Sequence, residues 1–211
     1  MADLSNLMAE WRKDMTAIGS FSDAAVREFG RVIRHYTEPH RHYHALPHLA
    51  ALFRLLDMHA PYLGPGSAAR LAVWWHDLIY DPTKSDNEER SADIATAALS
   101  DLGAGPALVA EVDRLIRMTK NHWTGPGAGH GDYFLDADIA ILGAPSEVYD
   151  TYAAGVRQEY AWAPDAAYRA GRSKFLEAAL AFPRLFRTDA FEDAYAAQAL
   201  VNMRRELATL S

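Results

Sequence analysis

The run Ala72-Val73-Trp74-Trp75-His76-Asp77-Leu78-Ile79-Tyr80 is apolar except for one ionisable pair. Its composition predicts a buried helix, and a buried helix has to account for the histidine and the aspartate. Taking an isolated charge out of water costs several kcal/mol even after relaxation, so an interior Asp77 is expected to be paired, hydrogen-bonded or bound to a metal.

Working outward, apolar spacing is helical almost throughout and strand-like alternation is missing. Leu4, Leu7, Met8, Trp11 and Met15 form one stripe, and Val26, Phe29, Ile33 and Tyr36 another. Start signals fit the same pattern: Ser22 before Asp23, Pro47 in a first turn, Ser67 before Ala68, and Pro164 opening a segment that ends at Phe182-Pro183. Further helices are predicted over 86–102, 106–120, 133–143, 145–161, 165–181 and 189–209. The polar turn at 81–85 and the glycine-rich stretch 121–131 interrupt the rhythm, and the second reads equally well as a lid or as a surface loop. The expected fold is all-α. With 211 residues and no repeat or linker dividing them, the chain is read as a single domain over 1–211, its motif-bearing core at about 22–145 with C-terminal helices 145–211 packing on it.

Bulk chemistry narrows the function. A formal net charge of -7 argues against a sequence-independent grip on a nucleic acid polymer or an anionic membrane. There is no basic leader followed by an apolar core and no apolar stretch of bilayer-spanning length, so a soluble cytoplasmic protein is expected. The chain has no cysteine, which leaves His, Asp and Glu as the only strong metal ligands.

Histidines crowd into His35–His48, but Pro47 places a helix start near Leu46 rather than one helix through His40, His44 and His48. From that start, His48 falls at the edge of the arc formed by Leu49, Leu52, Phe53, Leu55 and Leu56, and so points inward. In Phe134-Leu-Asp136-Ala-Asp138-Ile139 the same projection puts Asp138 among the apolar side chains. It turns Asp136 away, where the helix dipole is a sufficient reason for it. Four inward groups result: His48, His76, Asp77 and Asp138. Imidazole and carboxylate together suit one divalent ion such as Mn, Fe, Co, Ni, Zn or Mg, although spacing alone leaves a metal-free His–Asp hydrogen bond equally open.

The surrounding words carry a resemblance. Tyr43-His44-Ala-Leu-Pro-His48-Leu49, Trp75-His76-Asp77-Leu-Ile-Tyr80-Asp81, Asp86-Asn87-Glu88-Glu89-Arg90-Ser91-Ala92, Thr119-Lys120-Asn121-His122 and Phe134-Leu-Asp136-Ala-Asp138-Ile-Ala-Ile-Leu-Gly143 together resemble a bacterial subgroup of the HD superfamily of metal-dependent phosphohydrolases. They cover roughly 35–143, about half the chain. The resemblance implies a helical bundle with a metal at its centre held by His48, His76, Asp77 and Asp138. It does not specify a substrate, because that superfamily includes nucleotidases, cyclic-nucleotide and ppGpp hydrolases and some iron oxygenases.

On this basis the expected activity is phosphoric ester hydrolysis by metal-activated water on a small phosphorylated compound, with a nucleotide among the candidates. The alternatives are a non-catalytic metal- or nucleotide-binding sensor and an iron-dependent oxygenase on the same scaffold. Candidate proton-transfer groups are Asp81, four residues after Asp77, and Glu88 and Glu89 at the next helix start. Candidate phosphate-facing groups are Lys120 and His122, then Arg41 and Lys84. Some diesterases of the superfamily use extra histidines for a second ion, a role open to His44 and His122, but one ion is preferred because no further buried carboxylate is evident. Trp123 is a candidate to stack on a base, whereas Trp74 and Trp75 are read as core. Tyrosines 149, 152, 160 and 168 are assigned to packing or to a homodimer surface.

Overall fold

A computed structural model describes residues 4–210, and among them every regular element is helical. The ten α-helices are α1 (Leu4–Ala17), α2 (Asp23–Tyr36), α3 (Leu46–His59), α4 (Ala68–Trp75), α5 (Asn87–Asp101), α6 (Pro106–Met118), α7 (Asp132–Ile139), α8 (Ser146–Glu159), α9 (Asp165–Leu180) and α10 (Asp189–Leu210). Short 3-10 turns extend α6 at Thr119–Asn121 and α7 at Ala140–Gly143, so each predicted segment there is one helix that tightens at its end.

One buried apolar cluster draws on all ten helices. Helix α4 is its axis: Leu71, Ala72, Val73, Trp74 and Trp75 are all buried, and α4 packs against α3, α5, α6 and α7. Trp74 and Trp75 are core residues, as their surroundings predict; Trp11 meets Trp74 edge-on at 5.1 Å.

Local signals hold in most places. Ser22 caps α2 by accepting from the Ala25 amide, and Pro47 sits in the first turn of α3. Two do not hold. Ser67 precedes α4 but makes no side-chain cap, and its hydroxyl is buried without a partner. In α2 the buried stripe is Ala25, Phe29, Val32 and Tyr36, which leaves the expected Val26 exposed because the helix is rotated toward Ala25, whose carbonyl accepts from the Trp11 indole.

The stretch 121–131 is tied down by Arg187, from the α9–α10 connection. Its guanidinium donates to the carbonyls of His122 at 2.8 Å and Thr124 at 2.6 Å, and to that of Pro126 at 3.3 Å. Trp123 is held in the same way, donating to the Leu185 carbonyl at 3.1 Å and packing on Phe175 and Phe182. The indole of Trp123, a candidate for stacking on a base, thus packs against α9 and the segment after it.

Candidate metal centre

The ionisable pair of the opening stretch lies where α4 ends. Trp75 closes the helix, and His76, which still has helical dihedrals, forms a turn with Asp77. Departure from the helix solves a geometric problem, because neighbouring helical residues point 100° apart. It also exposes backbone groups that need partners, and side chains from elsewhere supply them. Arg41 donates to the carbonyls of His44 (3.1 Å), Asp77 (2.7 Å) and Leu78 (2.8 Å). The Asp77 amide donates to the Tyr36 hydroxyl, the Ile79 amide to Ser91 and the Asp81 amide to Asn87. Arg41, a candidate phosphate-facing group, is therefore buried with its guanidinium committed to backbone carbonyls.

Four ring and carboxylate atoms converge from α3, the end of α4, and α7. His48 Nε2 lies 3.1 Å from His76 Nε2 and 3.0 Å from Asp138 Oδ1; His76 Nε2 lies 3.1 Å from Asp77 Oδ2 and 3.5 Å from Asp138 Oδ1; His48 Nε2 to Asp77 Oδ2 is 3.8 Å. A divalent ion bound at about 2.1 Å puts its ligand atoms about 3.0 Å apart at right angles and about 3.4 Å apart in a tetrahedron. The spacing fits. So does the donor set of two imidazoles and two carboxylates, which suits a borderline or hard divalent cation. Tautomer control is present too: His76 Nδ1 lies 3.0 Å from the Val73 carbonyl, so Nδ1–H donates there and Nε2 is left to face the cluster.

The electrostatics match a cation site. Burial works against charge on the His76 ring, but Asp77, then Tyr36 and Asp138, outweigh it and hold its pKa well above the usual histidine value. Burial also works against charge on Asp138, yet the histidines around it keep its pKa well below the ordinary carboxylate value. His48, in contrast, is pushed down by burial and stays neutral more readily.

The remaining predicted residues separate by location. His122 Nε2 lies 2.8 Å from Asp138 Oδ2, so it fixes the carboxylate oxygen that does not meet His48. Asp77, Asp138, His122, His44 and Glu88 all line a cleft of about 600 Å³, while His48 and His76 are buried behind the carboxylates. Asp81, Glu89 and Lys120 do not line it. Helix α4 stops too early to put Asp81 on a face with Asp77, and its Oδ1 accepts from Thr83 instead. Lys120 is exposed and spends its ammonium on the Ser85 carbonyl and on Glu89.

Asp136 corrects the expectation that only Asp138 needs a buried partner. It sits beyond the first turn of α7, is buried, and accepts from the amides of Arg187 (2.7 Å) and Thr188 (2.8 Å) and from the Thr188 hydroxyl (2.7 Å). Its face of α7 is opposite the cluster, but the α9–α10 connection covers that face.

Glu159, at the end of α8, was not anticipated. Its Oε1 accepts from three consecutive amides, those of His42 (2.8 Å), Tyr43 (2.7 Å) and His44 (2.9 Å). Oε2 takes the His44 ring at Nδ1 (2.7 Å) and the Tyr80 hydroxyl (2.9 Å). The carboxylate thus shapes the whole His-rich turn. Despite burial, these donors, led by His44, hold its pKa down at about 2. His44 and His122 are both engaged by carboxylates, and among the described residues one group of side chains, His48, His76, Asp77 and Asp138, has the spacing to hold a metal ion.

A scan against protein-family models, a search of curated proteins and a search of solved structures each return no match for this chain.

Proposed function

We propose that this protein is a metal-dependent phosphohydrolase acting on a small phosphorylated compound. One observation carries the reading: four donor atoms at metal-ligand spacing open, through the two carboxylates, onto a cleft large enough for a small molecule. The motif words between residues 35 and 143 point the same way. His48, His76, Asp77 and Asp138 would hold the ion. When bound, a divalent cation makes water a better nucleophile at neutral pH and offsets charge on a phosphoryl group.

The chain's own residues have the complementary tasks. His122 fixes the orientation of Asp138 through Oδ2. His44 is held at Nδ1 by Glu159 and lines the cleft with the rest of its ring. Glu88 also faces the cleft, and burial raises its pKa above the ordinary glutamate value, which suits it to hold a proton for the departing oxygen as the ester P–O bond breaks.

The test is turnover of 4-nitrophenyl phosphate and a broad phosphoester panel by metal-loaded protein. His76→Ala and Asp77→Ala are expected to lose activity by about a hundredfold or more. A fully loaded wild-type protein that turns over nothing above those variants would instead favour a sensor or a structural ion.

A further inference from the structure

Beyond the carboxylates the cleft changes character. Its remaining wall comes largely from α8, α9 and the segment between them, and it includes Tyr152, Val156, Tyr160, Trp162, Tyr168 and Phe175. Tyr152 and Tyr168 are buried and Tyr160 and Phe175 half-buried, with Tyr43 meeting Tyr152 at 4.6 Å. Trp162 is the exception. It lines the cleft yet is 56% exposed, the largest side chain among the exposed apolar ones, with Tyr160 as its aromatic neighbour at 6.2 Å. A tryptophan left in water contributes little to folding, whereas beside a cleft it offers a flat face to a ligand.

The charges of the cleft are equally specific. Arg172 lines it but is engaged, bonding Glu206 at 2.9 and 3.0 Å and the Tyr152 hydroxyl at 3.0 Å. His44 and His122 are engaged by Glu159 and Asp138. Lys84 is the cleft cation whose side chain makes no hydrogen bond or ion pair among the described residues. A bound divalent ion would be offset by Asp77 and Asp138, which leaves about one spare positive charge against the phosphoryl group. That balance suits the single phosphate of a monoester and disfavours a di- or triphosphate chain, whose extra charges would meet the aromatic wall without cationic partners.

We infer that the ligand of this cleft is a phosphomonoester whose alcohol portion is a flat aromatic body, its phosphate toward Asp77 and Asp138 with Lys84 beside it and its ring against Trp162 and Tyr160. The inference rests on the phosphohydrolase reading for the position of the phosphate, and its test separates the two. The probes are benzylphosphonate and methylphosphonate, which carry the same charged head and cannot be hydrolysed as esters, titrated calorimetrically into Mn²⁺-loaded protein. Benzylphosphonate is expected to bind about tenfold tighter or better, the order of gain from stacking one ring. Trp162→Ala should remove most of that gap while leaving methylphosphonate affinity and metal content unchanged. Lys84→Ala should weaken both probes alike, and benzyl diphosphate should bind no better than benzylphosphonate. Equal affinities for the two phosphonates, a gap that survives Trp162→Ala, or a clear preference for the diphosphate overturns the inference. Failure of the underlying reading shows separately, as probe binding that is indifferent to metal removal and to His76→Ala; no binding of either probe to loaded protein overturns both.

Discussion

Glu159 shows how much one side chain can organise. Its carboxylate fills a hollow of three amides and reaches a ring and a phenol, and every one of those donors lies in a different part of the chain from α8. Glu159→Gln keeps the shape but exchanges charge-assisted bonds for neutral ones and presents one Nε2 amide toward a donor. A loss of about 2 to 3 kcal/mol in unfolding free energy is expected, measured by urea titration. The sign of its pH dependence follows from the depressed pKa. A carboxylate at about 2 in the folded protein and at an ordinary 4.5 when unfolded stabilises the fold fully above 4.5, and that stabilisation is lost as pH falls toward 2. The stability gap between wild type and Glu159→Gln should therefore narrow across that window; a gap independent of pH would mean that charge is not what Glu159 contributes. No local pattern in Gln158-Glu159-Tyr160 signals this role, because the amides it satisfies are more than a hundred residues away. Asp136 escaped for a related reason. A helix projection finds the face turned to the site, and it cannot see that a later connection buries the other face as well.

At the level of elements, two further contacts fasten the C-terminal half to the site. Gly143, in the 3-10 turn after α7, lies so close to α10 that a Cβ would run into the backbone of Tyr195. Gly143→Ala must push the turn and α10 apart, and we expect a loss of about 1 to 3 kcal/mol, read as a lower thermal midpoint. Gly30→Ala is the control: within α2 its Cβ would meet nothing nearer than Arg34 at 3.6 Å, so it should raise stability by about 0.5 to 1 kcal/mol. The second contact is Arg187, which holds the stretch after His122 by three carbonyls. Arg187→Ala should raise amide hydrogen exchange across 121–131 by tenfold or more while leaving exchange in α4 unchanged; unchanged protection in the stretch would show that Trp123 alone pins it. Helix boundaries were legible to within a few residues because capping and apolar period fix them locally. The end of α4 was not, and its cause is visible: Arg41, Tyr36, Ser91 and Asn87 reach in from other elements to satisfy the backbone once it leaves the helix. That early exit also moved Asp81 off the face of Asp77.

For the whole molecule, the four-residue cluster was legible because each residue is an ionisable group set in an apolar run, and helical period turns His48 and Asp138 inward. The aromatic exposed at the cleft was not. Trp123 and Trp162 both stand in connections between helices, and only the fold shows that the first is packed against Phe175 and Phe182 and the second lines the cleft. Because the cluster joins α3, α4 and α7, ion binding should stabilise the native state as a whole, with a thermal midpoint that rises with metal concentration and falls on chelation. The most direct test is metal content by elemental analysis after loading and gel filtration. About one divalent ion per chain is expected in the wild-type protein and about a tenth of that or less in folded His76→Ala and Asp77→Ala, with His122→Ala retaining most of its ion. Stoichiometric metal in both His76→Ala and Asp77→Ala would contradict this expectation.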